Sequence, residues 1–87
     1  MKVLFHETAL ADWQSWATEE PKVFKKIGDL VKEITRTPFA GTGKPEPLRG
    51  NLSGFWSRRI TGRHRLVYKI EQGVLVVAAC KSHYADK

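Results

Sequence analysis

A stretch rich in proline and glycine divides this 87-residue chain into two unlike parts. Thr35 to Asn51 contains three of the four prolines and three of the seven glycines, so no long helix or strand can run through it. Loops beyond about 15 residues are uncommon in compact domains and are usually functional or disordered. Because Pro38, Pro45 and Pro47 restrict the backbone, we expect an ordered loop that carries function.

The part before this loop has the apolar spacing of one strand and two helices. Lys2 to Phe5 is typical of a strand. A first helix, Thr8 to Ala17, is expected to bury Leu10, Trp13 and either Ala17 or Trp16. Thr18 is the expected N-cap of a second helix, which has Pro21 in its first turn and ends before Pro38. Its buried residues recur at helical spacing: Phe24, Ile27, Leu30 or Val31, and Ile34.

The part after the loop predicts three strands, Phe55 to Ile60, His64 to Ile70 and Val74 to Ser82. The short turns between them favour an antiparallel meander. The order β-α-α-β-β-β, without internal repeats, indicates an α+β fold: a twisted antiparallel sheet with two helices on one face and an open face opposite. The length fits a single domain, residues 1–87, whose core is too small for a deep enclosed pocket.

The net charge of +6 comes entirely from the second half of the chain. Residues 1–43 contain six Lys or Arg and six Asp or Glu, whereas residues 44–87 contain nine and three. Such asymmetry is typical of a surface that binds the phosphates of a nucleic acid, although solubility alone is the alternative explanation.

The chain has the composition of a protein from a reducing compartment. Cys80 is the only cysteine, which excludes an internal disulfide, and the apolar run Val74 to Cys80 predicts that it is buried. No apolar run is long enough for a secretory signal or for the ~20 residues of a membrane span. We therefore expect a soluble cytoplasmic protein with no membrane partner.

Two residues have the chemistry of a general base and a general acid. Pro45 and Pro47 hold Glu46 in extended geometry, which suits a positioned base. His83, at the end of the last predicted strand, can donate a proton near neutral pH. Each has an ordinary alternative: Glu46 as a solvated carboxylate that balances neighbouring cations, and His83 as an exposed tail residue.

The basic side chains of the strands can bind phosphate together if they share a face of the sheet. A three-residue loop, Thr61 to Arg63, places Arg59 opposite Arg65 on one face, whereas a two-residue loop places them on opposite faces. We favour the three-residue loop because it groups Tyr68 with Trp56 on the helix-covered face. The other basic residues here are expected on a solvated surface: Arg58, Arg63 and Lys69.

Other kinds of site chemistry are disfavoured. The second half of the chain has few carboxylates, histidines or thiolates for a metal, and no serine or cysteine has an evident histidine–acid pair, so we expect no metal or cofactor. His6, His64 and most aromatic residues are expected to be structural, whereas Tyr84 at the open rim can stack on a nucleobase. One carboxylate, one imidazole and several guanidiniums remain, the set that cleaves RNA through its own 2′-hydroxyl.

Five sequence blocks follow one another in the chain: residues 37–39 (TPF), 41–48 (GTGKPEPL), 51–60 (NLSGFWSRRI), 64–68 (HRLVY) and 78–84 (AACKSHY). In these blocks the sequence closely resembles the YoeB/Txe-type toxins of the RelE superfamily, and the resemblance is free of gaps and spans nearly the whole chain. The resemblance implies a RelE-like, microbial-ribonuclease-like fold. It also implies a toxin of a type II toxin–antitoxin system that cleaves mRNA in the ribosomal A site and inhibits translation, with the ribosome, a YefM-like proteic antitoxin and a second copy in a homodimer as partners.

The resemblance also implies roles for particular residues of this chain. Glu46 is the implied base, His83 the implied acid and Arg65 the ligand of the scissile phosphate, with Arg59 assisting. The implied substrate groove contains Lys44, Arg49 and Tyr84. The sequence departs from the family at its end, where Lys81-Ser82 replaces the usual Arg-Tyr and Ala85-Asp86-Lys87 follows the HY pair.

Two other interpretations stay open at this point. One is a small ribonuclease of similar chemistry that needs no ribosome. The other is a relative without nuclease activity, such as a gyrase-poisoning toxin or a nucleic-acid-binding module, against which the base–acid pair argues.

Overall fold

The computed structural model describes residues 1–82 of the chain. Within this part, no helix is both long and apolar enough to cross a membrane. The elements follow the predicted order, and the long loop contains in addition a short strand and one turn of 3₁₀ helix (Gly50–Leu52). In chain order they are β1 (Lys2–Phe5), α1 (Glu7–Glu19), α2 (Pro21–Arg36), β2 (Glu46–Pro47), β3 (Trp56–Arg59), β4 (Arg65–Glu71) and β5 (Val74–Ser82).

The strands form a five-stranded sheet in the order β1-β5-β4-β3-β2. β3, β4 and β5 are an antiparallel meander, as predicted. β1 lies parallel to β5, with Leu4 opposite Val76, so the sheet is mixed rather than purely antiparallel. Short turns force antiparallel pairing on neighbouring strands, but the whole intervening chain separates β1 from β5, so apolar patterning does not fix their direction. The apolar pattern does not predict β2 either, because a strand of two residues, one of them a proline, is too short to show an alternation.

Both helices pack on one face of the sheet, which confirms the α+β prediction. Along α2 the predicted apolar stripe is buried except for Phe24, which is partly buried, and Ile27 and Ile34 are both fully inaccessible. In α1 the buried residues are Ala9 and Trp16, whereas the expected core residue Leu10 is 40% exposed. The helix is longer than predicted and turns Leu10 outward, so the expectation for Leu10 was wrong.

The junction between the helices also differs from the prediction. Thr18 lies inside α1 and does not cap α2. The extended residue Glu20 alone separates the two helices, and its backbone serves both ends. Its N–H donates to the Trp16 carbonyl at 2.8 Å, and its carbonyl accepts from the amide of Val23 at 2.9 Å. These backbone hydrogen bonds satisfy the groups that a side-chain cap would otherwise satisfy. Helix periodicity alone does not predict a link of one residue between two helices.

Two tryptophans of α1 fix the helices to each other and to the sheet. The Trp13 ring stacks on Phe24 with centroids 4.6 Å apart, and its Nε1 donates to the Phe24 carbonyl at 3.1 Å. Trp16 Nε1 donates to the carbonyl of Cys80 in β5 at 3.0 Å. Each indole buries its ring and still satisfies its N–H, which is the usual condition for tryptophan in a core.

Cys80 supplies a test of this packing. Its buried Sγ donates to the Ala9 carbonyl at 3.4 Å, and burial raises the pKa of the thiol from 9.0 to about 12. Between these two pH values the unfolded chain loses the thiol proton and the folded chain keeps it. The contribution of the buried Cys80 thiol to the free energy of unfolding is therefore complete below pH 9.0. Above that pH it declines by up to about 1.4 kcal/mol per pH unit.

We expect urea denaturation to show that raising the pH from about 8 to about 10 lowers the unfolding free energy more for the parent than for Cys80→Ala. The comparison removes the contributions of all other titrating groups, which both proteins share. Equal pH dependence in the two proteins would contradict a buried, neutral Cys80.

Candidate functional site

The hairpin between β3 and β4 sets the two faces of the sheet. Arg59 pairs with Arg65, and Trp56 pairs with Tyr68, which confirms the three-residue loop. Because side chains alternate along a strand, the pair of arginines lies on the face opposite to the helices. The predicted convergence of Arg59 and Arg65 on one face is therefore correct.

Glu46 joins this open face from the edge strand β2. Its register partner is Ser57 of β3, and its neighbour Pro47 pairs with Trp56, so the segment between the two prolines is extended as predicted. Glu46 Oε1 accepts a hydrogen bond from Arg65 Nη1 at 3.2 Å. The buried hydroxyl of Ser57 lies 3.4 Å from the same nitrogen. The guanidinium of Arg65 thus reaches across β3 and meets a carboxylate that stays 55% exposed.

The basic residues near Glu46 are exposed. Lys44 and Arg49 flank β2, and Arg59 lies at the end of β3. Lys44 has a left-handed backbone with φ of 51°, which is strained for a residue other than glycine. Directly before it, the Gly43 carbonyl accepts from the Arg59 amide at 2.7 Å, so the loop is tied to the end of β3. Exposed cationic residues therefore precede and follow Glu46 in the chain, and Arg59 lies beside Arg65 in the sheet.

Arg58 contradicts the expectation of a solvated side chain. It is fully buried, because alternation turns it toward the helices beside Trp56. Its Nη2 donates to the carbonyls of Thr37 at 2.6 Å and Ala40 at 2.8 Å. Its Nη1 donates to the Thr42 carbonyl at 3.1 Å and to the carboxylate of Glu33 at 3.0 Å. Arg58 therefore anchors the long loop from β3 and is not part of the basic surface.

Aromatic residues complete the anchorage of this loop. Arg58 Nε donates to the hydroxyl of Tyr68 at 3.2 Å, and that hydroxyl donates to the Pro38 carbonyl at 2.7 Å. The Phe39 ring packs on Trp56 with centroids 4.7 Å apart. Burial raises the pKa of Tyr68, which keeps its hydroxyl protonated as a donor. The prediction of an ordered loop is confirmed, although the order comes from Arg58 and Tyr68 as well as from the prolines.

Two lysines of the later strands, Lys69 and Lys81, make contacts within the chain. Lys69 Nζ lies 3.3 Å from Glu71 and above the Phe55 ring. Lys81 Nζ binds the carboxylate of Glu19 at 2.7 Å, a contact that lowers the pKa of that carboxyl. These partners reduce the positive charge that either lysine offers to a ligand.

The remaining candidates are histidines and one tyrosine. His6 lies at the junction of β1 and α1, and His64 packs edge-on against Trp16 with ring centroids 5.0 Å apart, so both have the expected structural positions. His83 and Tyr84 lie outside the described residues. The described chain ends at Ser82, which pairs with Arg65.

The described residues offer acid–base and anion-binding chemistry. A carboxylate with exposed oxygens and two guanidiniums on one open face can accept a proton and hold a phosphate. Within residues 1–82, no three side chains of His, Cys, Asp or Glu are grouped as metal ligands. An apolar groove of about 480 Å³ lies at the far edge of the sheet between β1 and the helices, and neither Glu46 nor Arg65 lines it.

Sequence reasoning missed two residues that support the site. Strand alternation from Trp56 would have placed Arg58 on the helix face, but a charge there is unexpected unless its partners are known. Ser57 gave no signal of its own, because its proximity to Arg65 depends on the register of the β3–β4 hairpin.

Comparisons with known proteins agree with this architecture. Residues 5–84 match the family model described as YoeB-like toxin of bacterial type II toxin-antitoxin system. Toxin YoeB of Escherichia coli strain K12 is 51% identical over 84 residues, which is 97% of this chain and 100% of that protein. The structure of a YoeB/ParE toxin from Agrobacterium tumefaciens has a TM-score of 0.93 and 44% identity, covering 97% of this chain and 100% of that chain.

Structures of a Staphylococcus aureus relative show two assemblies. One is a heterotetrameric YoeB–YefM toxin–antitoxin complex, with a TM-score of 0.88, and the other is a YoeB dimer, with a TM-score of 0.89. Both are 40% identical and cover 97% of this chain and 98% of that chain. With a family match from residue 5 to residue 84 and half of its residues shared with a curated relative, the chain belongs to the YoeB family of type II toxin–antitoxin toxins.

Proposed function

We propose that this toxin is a ribosome-dependent endoribonuclease that cleaves mRNA in the ribosomal A site without a metal ion and so inhibits translation. The observation that carries the proposal is the contact of Glu46 with Arg65 on the open face of the sheet. It joins a proton acceptor to a phosphate-binding group, and membership of the family supplies the context in which this pair acts.

In the proposed reaction, Glu46 removes the proton of an RNA 2′-hydroxyl, and that oxygen attacks the adjacent phosphorus. The bond from phosphorus to the 5′-oxygen breaks, and His83 gives this leaving oxygen a proton. Arg65, assisted by Arg59, stabilises the negative charge on the phosphorane. The products are a 2′,3′-cyclic phosphate and a free 5′-hydroxyl, so no water, metal or cofactor is consumed.

The shape and charge of the site favour a polymer as substrate. Glu46 is 55% exposed, and the site lies on a sheet face with exposed Lys44 and Arg49 beside it. An open, cationic surface binds a phosphate chain through many weak contacts, each sensitive to salt. We propose that Lys44, Arg49 and Tyr84 line the groove for mRNA, with Tyr84 stacking on a base.

The proposed partners follow from the family. A YefM-like antitoxin is expected to bind and neutralise the toxin, as the complex of the Staphylococcus aureus relative suggests. A homodimer is expected from the dimeric structure of the same relative. We place the protein in the cytoplasm, where mRNA and ribosomes are found.

Glu46→Gln tests the role of the base. The amide keeps the size of the side chain but cannot take a proton, so we expect cleavage to fall by ~10²- to ~10⁴-fold. Toeprinting of mRNA on programmed ribosomes measures the cleavage, with the same mRNA free of ribosomes in parallel. Glu71→Gln is the matched control, because Glu71 is also exposed and paired with a cation, at the far end of β4.

The outcomes of this experiment separate the alternatives. Cleavage of ribosome-bound mRNA by the parent and by Glu71→Gln, but not by Glu46→Gln, supports the proposal. Cleavage of free mRNA at an equal rate would favour a ribosome-independent nuclease. An active Glu46→Gln protein would eliminate Glu46 as the base, and an inactive parent would refute the proposed activity.

Arg65→Lys tests the phosphate ligand. Lysine keeps the positive charge but loses the planar fork that binds two oxygens, so we expect a ~10²-fold lower rate at saturating toxin. Arg63→Lys, in the neighbouring loop, is the control and should retain nearly the parental rate. Single-turnover cleavage on programmed ribosomes measures both, and equal rates for the two variants would remove Arg65 from the reaction.

A further inference from the structure

The long loop leads directly into β2, so whatever holds the loop also holds Glu46. We propose that Arg58 and Glu33 form a clamp that positions Glu46 for proton removal, and that Arg58 is a positioning residue of the reaction. This inference rests on the proposed nuclease function and adds to it two residues that do not touch the substrate.

The contacts of the clamp hold the first part of the loop, from Thr37 to Thr42. Arg58 binds three loop carbonyls, those of Thr37, Ala40 and Thr42, from a fully buried position. Glu33 contributes from α2 by accepting hydrogen bonds from Arg58 and from the Thr42 amide at 2.7 Å. The clamp therefore holds Thr42 through both of its backbone polar groups: Glu33 binds the N–H and Arg58 binds the C=O.

The fit of two glycines shows how closely the loop packs on the clamp. A Cβ at Gly41 would overlap the Glu33 carboxylate. A Cβ at Gly43 would lie 3.0 Å from the Arg59 carbonyl oxygen and 3.1 Å from Arg58 Cβ. Both glycines also have positive φ, so a side chain there is strained as well as obstructed. A side chain at Gly41 would therefore displace the Glu33 carboxylate, and one at Gly43 would require a small shift of β3.

Position matters for Glu46 because a general base acts only within hydrogen-bond reach of its proton. Glu46 follows the clamped segment after Gly43, Lys44 and Pro45, and it pairs with β3, the strand that carries Arg58. Displacement of a reacting group by about 1 Å can lower a rate ~10²-fold. Loosening the clamp should therefore lower the rate of the chemical step more than the affinity for the substrate.

The charge of Glu33 is part of the clamp. The Thr42 amide, followed by Arg58, holds the pKa of the Glu33 carboxyl below its usual value. Among groups that face this carboxylate, Arg58 supplies the positive charge. The ionised form is therefore the one that binds the loop at neutral pH.

Glu33→Ala tests the clamp without entering the core, since the Glu33 side chain is only partly buried. Asp29→Ala is the matched control: Asp29 lies one turn earlier on α2 and pairs with Lys25 on the exposed surface. Glu33→Gln keeps an oxygen that can accept the same hydrogen bonds, so it should lose less loop order and less cleavage rate than Glu33→Ala. Arg58→Lys is a second variant, which retains the charge and loses most donors of the guanidinium.

Two measurements are needed on the full chain of each variant. Hydrogen exchange of the segment 37–46 reports the order of the loop and does not require activity. Single-turnover cleavage on programmed ribosomes gives the maximal rate and the toxin concentration at half-maximal rate. Urea denaturation at the assay temperature verifies that each variant is folded.

We expect Glu33→Ala to exchange faster in 37–46 and to lose ~10- to ~10²-fold in maximal rate, with the half-maximal concentration within about twofold of the parent. Asp29→Ala should match the parent in both. Faster exchange with unchanged cleavage, or unchanged exchange, would overturn the clamp as a positioning device. A parent protein that leaves ribosome-bound mRNA intact would refute the nuclease function itself and, with it, the positioning role, whatever the exchange rates.

Discussion

The buried guanidinium of Arg58 is the interaction on which the rest of the structure depends. A guanidinium that enters the interior without partners pays a desolvation cost of several kcal/mol, so Arg58 cannot be buried without its acceptors. Those acceptors are Glu33 of α2 and the carbonyls of the loop from Thr37 to Thr42. Closing the loop, docking α2 and burying β3 are therefore coupled: none of the three is complete without the other two.

The pleat of β3 gives two neighbouring arginines opposite tasks. Arg58 faces the helices and organises the loop, whereas Arg59 faces solvent beside Arg65. The backbone of Arg59 adds to the first task, because its N–H binds the Gly43 carbonyl. A shift of one residue in the β3–β4 register would exchange the faces of the two side chains, placing Arg58 in solvent and Arg59 in the core. Fold and proposed site thus depend on the same register.

The parts of the fold that follow from local patterns could be predicted. The bounds of β5, the α2 stripe and the Arg59–Arg65 register are fixed by apolar spacing and loop length. The burial of Arg58 could not be predicted, because its acceptors are mostly backbone carbonyls, which every residue has. The Glu46–Arg65 contact depends on β2, a strand of two residues without a pattern of its own. The prolines on either side of Glu46 indicated a positioned carboxylate, but nothing in the sequence predicted its contact with Arg65.

The strength of the Glu46–Arg65 pair suits the role proposed for it. Glu46 is 55% exposed and Arg65 20% exposed, and ion pairs so close to solvent contribute only about 0–1 kcal/mol. An RNA phosphate offers two oxygens to the guanidinium and can take it from the carboxylate at little cost. In the proposed reaction, this separation frees the Glu46 side chain to accept the proton of the 2′-hydroxyl. A fully buried pair would resist this exchange, so the proposed phosphate ligand Arg65 must lie closer to solvent than the loop anchor Arg58.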